Sequence, residues 1–389
     1  MNGNERIAAA LNHREADKVP YDLSGTTVTS ITKNAYLRAM KLRGLSPKLG
    51  NDEVDPIQQI ITPTEENLLA LKADCRRIGA HRIIDYQNTR KLIGNTIEVT
   101  DFYACRWLFD PEKDFYFNMT FAPLQQYDSL SDSLQFLPRA NWNEYIPMLR
   151  QQLKYQITKV GDFCGIADRN TAGFTENSLR IRGYENWFMD TVIDPSGVEA
   201  LFEIILEDKI RYWDAVIDWA IETGNEQKIQ VISECDDLGS QNCTILDPEL
   251  LRQMVIPRFK ILFAHVKKRM PHVKTFMHSC GAIRELIPDL IEAGLDILNP
   301  VQFTAAGMDL KGLKQDFGDV LTFWGGGVDT QSTLNNGSPQ QVKDEVKKII
   351  ELLAPGGGFV FAPVHNIQGD VSAENFWAMW DTLQEYGKY

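Results

Sequence analysis

No stretch of the chain approaches the run of about 18 apolar residues that a membrane-spanning helix needs, so no span is expected. The amino-terminal segment MNGNERIAAALNHREADKVP is polar and charged and lacks the apolar core of a secretory signal. Positive charge is short: 40 Lys and Arg against 53 Asp and Glu leave a formal net charge of −13. A nucleic-acid binder usually shows a basic face, so that class is set aside. Cysteine is sparse. Cys75, Cys105, Cys164, Cys235, Cys243 and Cys280 are scattered and form no disulfide framework, which points to a reduced, cytoplasmic setting. A GxGxxG turn is missing after the first strand. The GGG runs at 325–327 and 356–358 do not have its spacing, which weakens a dinucleotide-binding reading.

What is present is a regular alternation from about residue 195 onward. A helix over 196–223 leads to the strand KIQVISE, and one over 247–269 leads to VKTFMHSC. Helices over 282–293, 309–317 and 339–353 lead in turn to LDILNPV, VLTFWGG and GFVFAPVHNI, and a helix over 372–386 ends the chain. Short apolar strands alternating with helices of ten or more residues mean βαβ units and a parallel sheet covered on both faces. A (β/α)8 TIM barrel is favoured over an open doubly wound sheet, with 1–389 read as a single domain. Ahead of it lies an N-terminal helical extension: a helix at Glu5–Leu11, the extended stretch KVPYDLSG, and a helix around Ile31–Arg43. Residues 65–79 have apolar residues at helical spacing, and 126–160 look helical. In 92–125, aromatic and β-branched residues alternate with polar ones around the turn DPEKD, which predicts an inserted antiparallel β segment.

In a β/α barrel the active site lies at the C-terminal ends of the strands. There the sequence collects polar groups: Glu234 to Asp237, then His278 to Cys280, then Asn299 with Gln302, then Asp329, then His365 with Asn366. The pair His278-x-Cys280 is the sharpest feature. Imidazole and thiolate are both zinc ligands, and residues i and i+2 of a strand share a face. With His365 and Glu234 on nearby strand ends, a metal site is the favoured reading. The alternative is a hydrogen-bonded histidine beside a small buried cysteine. The loop Asp236 to Gln241 reads equally well as a substrate or proton-handling element and as an Asx turn before a helix capped by Asp247. Tyr184, Trp187 and Phe188 suit either a pocket wall or helix packing. His13, His81, His265 and His272 are read as non-catalytic.

These residues resemble the uroporphyrinogen decarboxylase superfamily over nearly the whole length. The resemblance is carried by MNGNERIAAALNHREADKVP, ADCRRIG, IRGYENWFMD, DDLGSQ, MHSCGAIRELIPDLIEAGLDILNPVQ and GGFVFAPVHNIQ-x5-EN. It implies a (β/α)8 barrel. True decarboxylases carry an arginine-rich substrate motif, RQAGR in form, after the first strand. Here that place holds SGTTVTS, which turns the reading away from decarboxylation. The other branch comprises zinc methyltransferases of corrinoid systems, with His-x-Cys and a distal cysteine as ligands. His278 and Cys280 match the first two, and the distal position holds His365.

Replacing a thiolate by imidazole leaves a harder, more electrophilic zinc, better suited to an oxygen than to a thiol. The resemblance therefore implies methyl transfer from an O-methyl substrate, an aryl methyl ether, to the Co(I) of a separate corrinoid protein. Zinc would be held by His278, Cys280, His365 and Glu234. Asp236 and Asp237 would act as catalytic carboxylates, and Gln241, Asn299, Gln302 and Tyr184 would bind substrate. The chain lacks a DxHxxG cobalamin signature, so cobalamin would arrive in trans. Kept beside this are a metal-free lyase of the decarboxylase kind, a methylcorrinoid:thiol methyltransferase and a non-catalytic binding role. The methyl donor, the direction of transfer and a homodimer stay open.

Overall fold

Short runs become strands when helices can cover both their faces, and seven such runs, most of them apolar, pair in parallel in chain order. In the computed structural model, which describes residues 1–80 and 90–389, they are Cys75–Gly79, Cys164–Asp168, Ile229–Cys235, Lys274–His278, Ile297–Asn299, Thr322–Trp324 and Phe359–Val360. The stretch KVPYDLSG joins the two edges. Tyr21 bridges Phe361 in parallel. Asp22 N donates to Phe361 O at 2.9 Å, Phe361 N to Pro20 O at 2.8 Å, and on the other side Asp74 N donates to Tyr21 O at 2.8 Å. This segment takes the eighth position, so the sheet closes and the expected TIM-barrel-like fold is what the chain adopts.

The pleat sorts the barrel interior into layers. Ile166, Val231, Phe276, Ile297, Trp324 and Val360 pack together with Ile7, Ala10 and Leu11. Those last three belong to helix Gly3–Leu11, which is started by a capping box between Asn2 and Glu5 and plugs the floor of the barrel. Two residues further along four of these strands, on the same face, stand Asp168, Ser233, His278 and Asn299, all buried. An apolar floor thus gives way to a polar layer at the C-terminal rim, as the active-site rule for barrels requires.

Three readings change. The helix expected over 65–79 is only Glu65–Ala70, and Cys75–Gly79 is a barrel strand. Arg76 and Arg77 belong to that strand. Both are buried in the strand because Glu65 lies 2.7 Å from Arg76 and Asp168 lies 2.8 Å from Arg77. The strand Cys164–Asp168 was not anticipated at all. At the start of the helix expected from Ile31, residues Ile31–Thr32 instead join a three-stranded antiparallel sheet with Leu49–Asp55 and Ile60–Pro63, and the helix runs Lys33–Leu42. The β insertion is as expected: Lys91–Ile93, Thr96–Thr100, Arg106–Phe109 and Asn118–Phe121 form a four-stranded antiparallel meander. His81 lies outside the described residues. Among the described residues no helix is long and apolar enough to cross a membrane.

Candidate metal centre

His278 closes its strand at 3% exposure. The neighbouring strand pairs His278 with Asn299, and Asn299 Oδ1 lies 2.5 Å from His278 Nδ1. The amide cannot turn round freely, because its Nδ2 donates to Trp324 O at 2.7 Å. A carbonyl only accepts, so Asn299 Oδ1 must accept from His278 Nδ1–H. That fixes the tautomer and leaves the Nε2 lone pair free. Nε2 faces Cys280 Sγ at 3.4 Å. The turn after the cysteine needs Gly281: its φ is +87°, and a Cβ there would meet Gly239 at 2.4 Å. His365 arrives from the last strand–helix loop, its ring centroid 5.7 Å from that of His278.

One ligand atom from each of His278, Cys280 and His365 lies within 4.8 Å of the others. Metal–ligand bonds of about 2.0–2.3 Å at tetrahedral angles separate ligand atoms by roughly 3.3–3.8 Å, so modest side-chain rotation closes this set around a zinc ion. Burial pushes His278 down to about 4. Burial, and then the neighbouring His278, push His365 down to about 4. Both rings are therefore neutral donors at pH 7. Burial, and then the Asp237 and Glu176 carboxylates, hold the Cys280 thiol well above its ordinary range. A cation would have to displace its proton. Two neutral imidazoles and one thiol fit zinc.

The other expected residues divide sharply. Glu234 does not join the cluster, which corrects its place as fourth ligand. Its oxygens take Lys209 Nζ at 2.6 Å and Trp213 Nε1 at 2.7 Å, both from helix Pro195–Glu222. Its neighbour Ser233 faces the interior, so alternation turns Glu234 outward. Asp236 is buried and accepts from Thr175 N at 2.9 Å, Glu176 N at 3.2 Å and the Thr175 hydroxyl. It anchors the start of helix Phe174–Arg182 and does not open towards the ligands. Burial, and then Glu176, raise it to about 7. Asp237 is the carboxylate beside the cluster: Oδ1 lies 3.7 Å from His278 Nε2 and accepts from Cys280 N at 2.9 Å.

Asn299 and the two glutamines act on the frame of the site. Gln302 Oε1 accepts from Gly281 N at 2.8 Å, Gln302 Nε2 donates to Gln241 Oε1 at 3.0 Å, and Gln241 Nε2 donates to Thr304 O at 2.6 Å. These bonds hold the Cys280 turn in place. Tyr184 is 55% exposed at the start of helix Tyr184–Ile193, while Trp187 is buried, so the aromatic cluster is split between surface and core. The sequence reading missed Asp168, Arg169 and Gln368. Gln368 Nε2 lies 3.3 Å from His365 Nδ1. Had CGIAD been read as a strand, the rim rule would have singled out the Asp168-Arg169 pair that follows it.

The sequence profile of the family described as Uroporphyrinogen decarboxylase (URO-D) matches residues 148–386, more than half of the chain. Among solved structures, a methyltransferase from Methanosarcina mazei is 18% identical, with 99% of each chain covered and a TM-score of 0.64, a likeness of fold. Xylanase 10B from Thermotoga petrophila RKU-1 is 9% identical over 68% of this chain and 93% of its own, with a TM-score of 0.35, too low to carry an argument. None of the curated proteins matches.

Proposed function

The chain belongs to the uroporphyrinogen decarboxylase (URO-D) family, and on that footing we propose that it is a zinc-dependent methyltransferase that moves a methyl group from an aryl methyl ether to the Co(I) of a separate corrinoid protein. The observation that carries this reading is the convergence of His278, Cys280 and His365 in the barrel mouth. When bound there, zinc supplies a Lewis acid for the ether oxygen.

The chain's own residues have distinct tasks. Asn299 keeps His278 in the tautomer whose Nε2 is free. Cys280 brings the single negative charge of the set. Asp237, with a side chain 43% exposed, is pushed up to about 6 by partial loss of water at the mouth and then by Glu176. It is placed to pass a proton between solvent and the departing oxygen. The apolar floor under the site keeps water out from below. Where decarboxylases have arginines, the hydroxyls here bond to one another: Ser24 Oγ to Ser30 Oγ at 2.7 Å and Thr26 Oγ1 to Thr29 Oγ1 at 2.9 Å. That segment offers no cation for a substrate with many carboxylates, which disfavours the lyase.

The test is direct. Purified protein should retain about one zinc per chain and, with a methoxylated aromatic, bleach the Co(I) absorbance of a reduced corrinoid protein. Protein that holds no zinc and ignores chelators defeats the proposal.

A further inference from the structure

Asn299 readies His278 for a cation, and Gln368 does the opposite to His365. Gln368 is 7% exposed, and its amide is held at both ends. Nε2 donates to Asn366 O at 3.0 Å. A carbonyl only accepts, so that end is the NH2 group. Oε1 accepts from the Tyr116 hydroxyl, which comes from the turn between the strands Arg106–Phe109 and Asn118–Phe121 of the β insertion. The carbonyl that fixes the amide is itself held. Asn366 Oδ1 accepts from Ser30 N at 2.7 Å, its Nδ2 donates to Thr27 O at 3.0 Å, and Ile367 N donates to Ser30 O at 2.9 Å. Gln368 Nε2 therefore stays towards the ring, 3.3 Å from His365 Nδ1.

A donor at that distance meets a lone pair, so Nδ1 is the bare nitrogen of His365 and Nε2 carries the proton. Asn366 O, the other acceptor beside the ring, is already engaged by Gln368. His278 has the reverse arrangement, with Nδ1–H on Asn299 and Nε2 bare. Two imidazoles of one candidate ligand set thus stand in opposite tautomers. At His365 the bare nitrogen is the one that Gln368 holds. A cation at Nδ1 must displace the amide N–H. A cation at Nε2 must send the ring proton to Nδ1, where the same N–H opposes it. Either way one hydrogen bond is lost.

We propose that Gln368 is a positioning residue that holds His365 in the Nε2–H tautomer and competes with the cation for its lone pair, so that His365 is the conditional member of the set. The competition rests on the zinc reading of the site, whereas the tautomer stands without it. Through Tyr116, the inserted β meander sets the strength of this hold.

Nitrogen NMR of the full metal-free chain, with labelled histidine and His365 assigned by the signal lost in His365→Gln, reads the tautomers directly. His365 should show a protonated Nε2 and a bare Nδ1, and His278 the reverse. In Gln368→Glu the carboxylate accepts from Nδ1–H, so the His365 pattern should invert. Competition with a chelating dye reads the second half. Gln368→Leu should bind zinc about three- to tenfold more tightly than the wild type. A merely structural glutamine would predict weaker binding and no inversion. Nδ1–H on His365 in the wild type, an unchanged tautomer in Gln368→Glu, or equal or weaker zinc binding by Gln368→Leu overturns the proposal. Should Gln368→Leu not fold, the wild-type tautomer and Gln368→Glu decide. The two readings fail separately. A wild type that takes up no zinc defeats the metal site and the competition with it, while the tautomer result still stands. Zinc uptake by the wild type with His365 in the Nδ1–H form sinks the role of Gln368 alone.

Discussion

Replacing Asn299 by alanine removes an amide that is 1% exposed and holds two groups, His278 Nδ1 at 2.5 Å and Trp324 O at 2.7 Å. Both partners are left in a dry interior. Each unsatisfied buried group costs about 1–3 kcal/mol, so the fold should lose about 2–6 kcal/mol. The imidazole also loses the acceptor that sets its tautomer. Removing such an outer partner of a metal ligand typically lowers affinity about 10- to 100-fold, which is about 1.4–2.7 kcal/mol. The zinc dissociation constant, read by competition with a chelating dye, and the melting temperature measure the two effects separately. Asn299→Asp discriminates between them. Its carboxylate still accepts from Nδ1–H and makes the ring a stronger donor, but it cannot donate to Trp324 O. Asn299→Asp should therefore lose stability yet keep zinc. Wild-type zinc affinity in Asn299→Ala, or an Asn299→Asp protein that loses zinc as the alanine variant does, refutes the assignment of Asn299 to the metal site.

Alanine at His278 or Cys280 should abolish zinc retention by elemental analysis, whereas unchanged metal content in both would remove the site. His365→Cys should hold zinc at least as tightly but slow methyl transfer from an ether, because a second thiolate softens the ion; an unchanged rate would dismiss the argument from ligand charge. At pH 7 both imidazoles are already neutral and the Cys280 thiol is still protonated. Zinc uptake should then expel about one proton. Affinity should rise about tenfold per pH unit near neutrality and fall off more steeply below about 4, where the rings protonate. Titration in buffers of different ionisation heat reads this, and zero proton release would exclude the cysteine as a ligand. Glu234→Gln breaks a buried ion pair with Lys209 and should cost about 3–5 kcal/mol in thermal or denaturant unfolding while leaving zinc content unchanged; loss of zinc with wild-type stability would return Glu234 to the metal.

Local periodicity made the second half of the barrel readable. Each strand from Ile229–Cys235 onward is a short apolar run bounded by an amphipathic helix, and that pattern needs no distant partner to be recognised. The Asp247 cap before Pro248 was legible for the same reason, since an N-cap is a contact between near neighbours. The first half was harder. Arg76 and Arg77 sit inside a buried strand only because Glu65 and Asp168 neutralise them, and no window of sequence contains Asp168 alongside Arg77.

What the amino-acid order determined by itself was the alternation of strand and helix, the rim on which polar groups collect, and the His278-x-Cys280 pair, because a pleat puts i and i+2 on one face. Tertiary structure alone decided the rest. It turned Glu234 outward onto Lys209 and Asn299 inward onto His278, and brought His365 beside the pair from the chain's far end. Barrel closure and strand register set these outcomes. A shift of one residue exchanges inside for outside, and composition carries no record of which of the two the closed sheet selects.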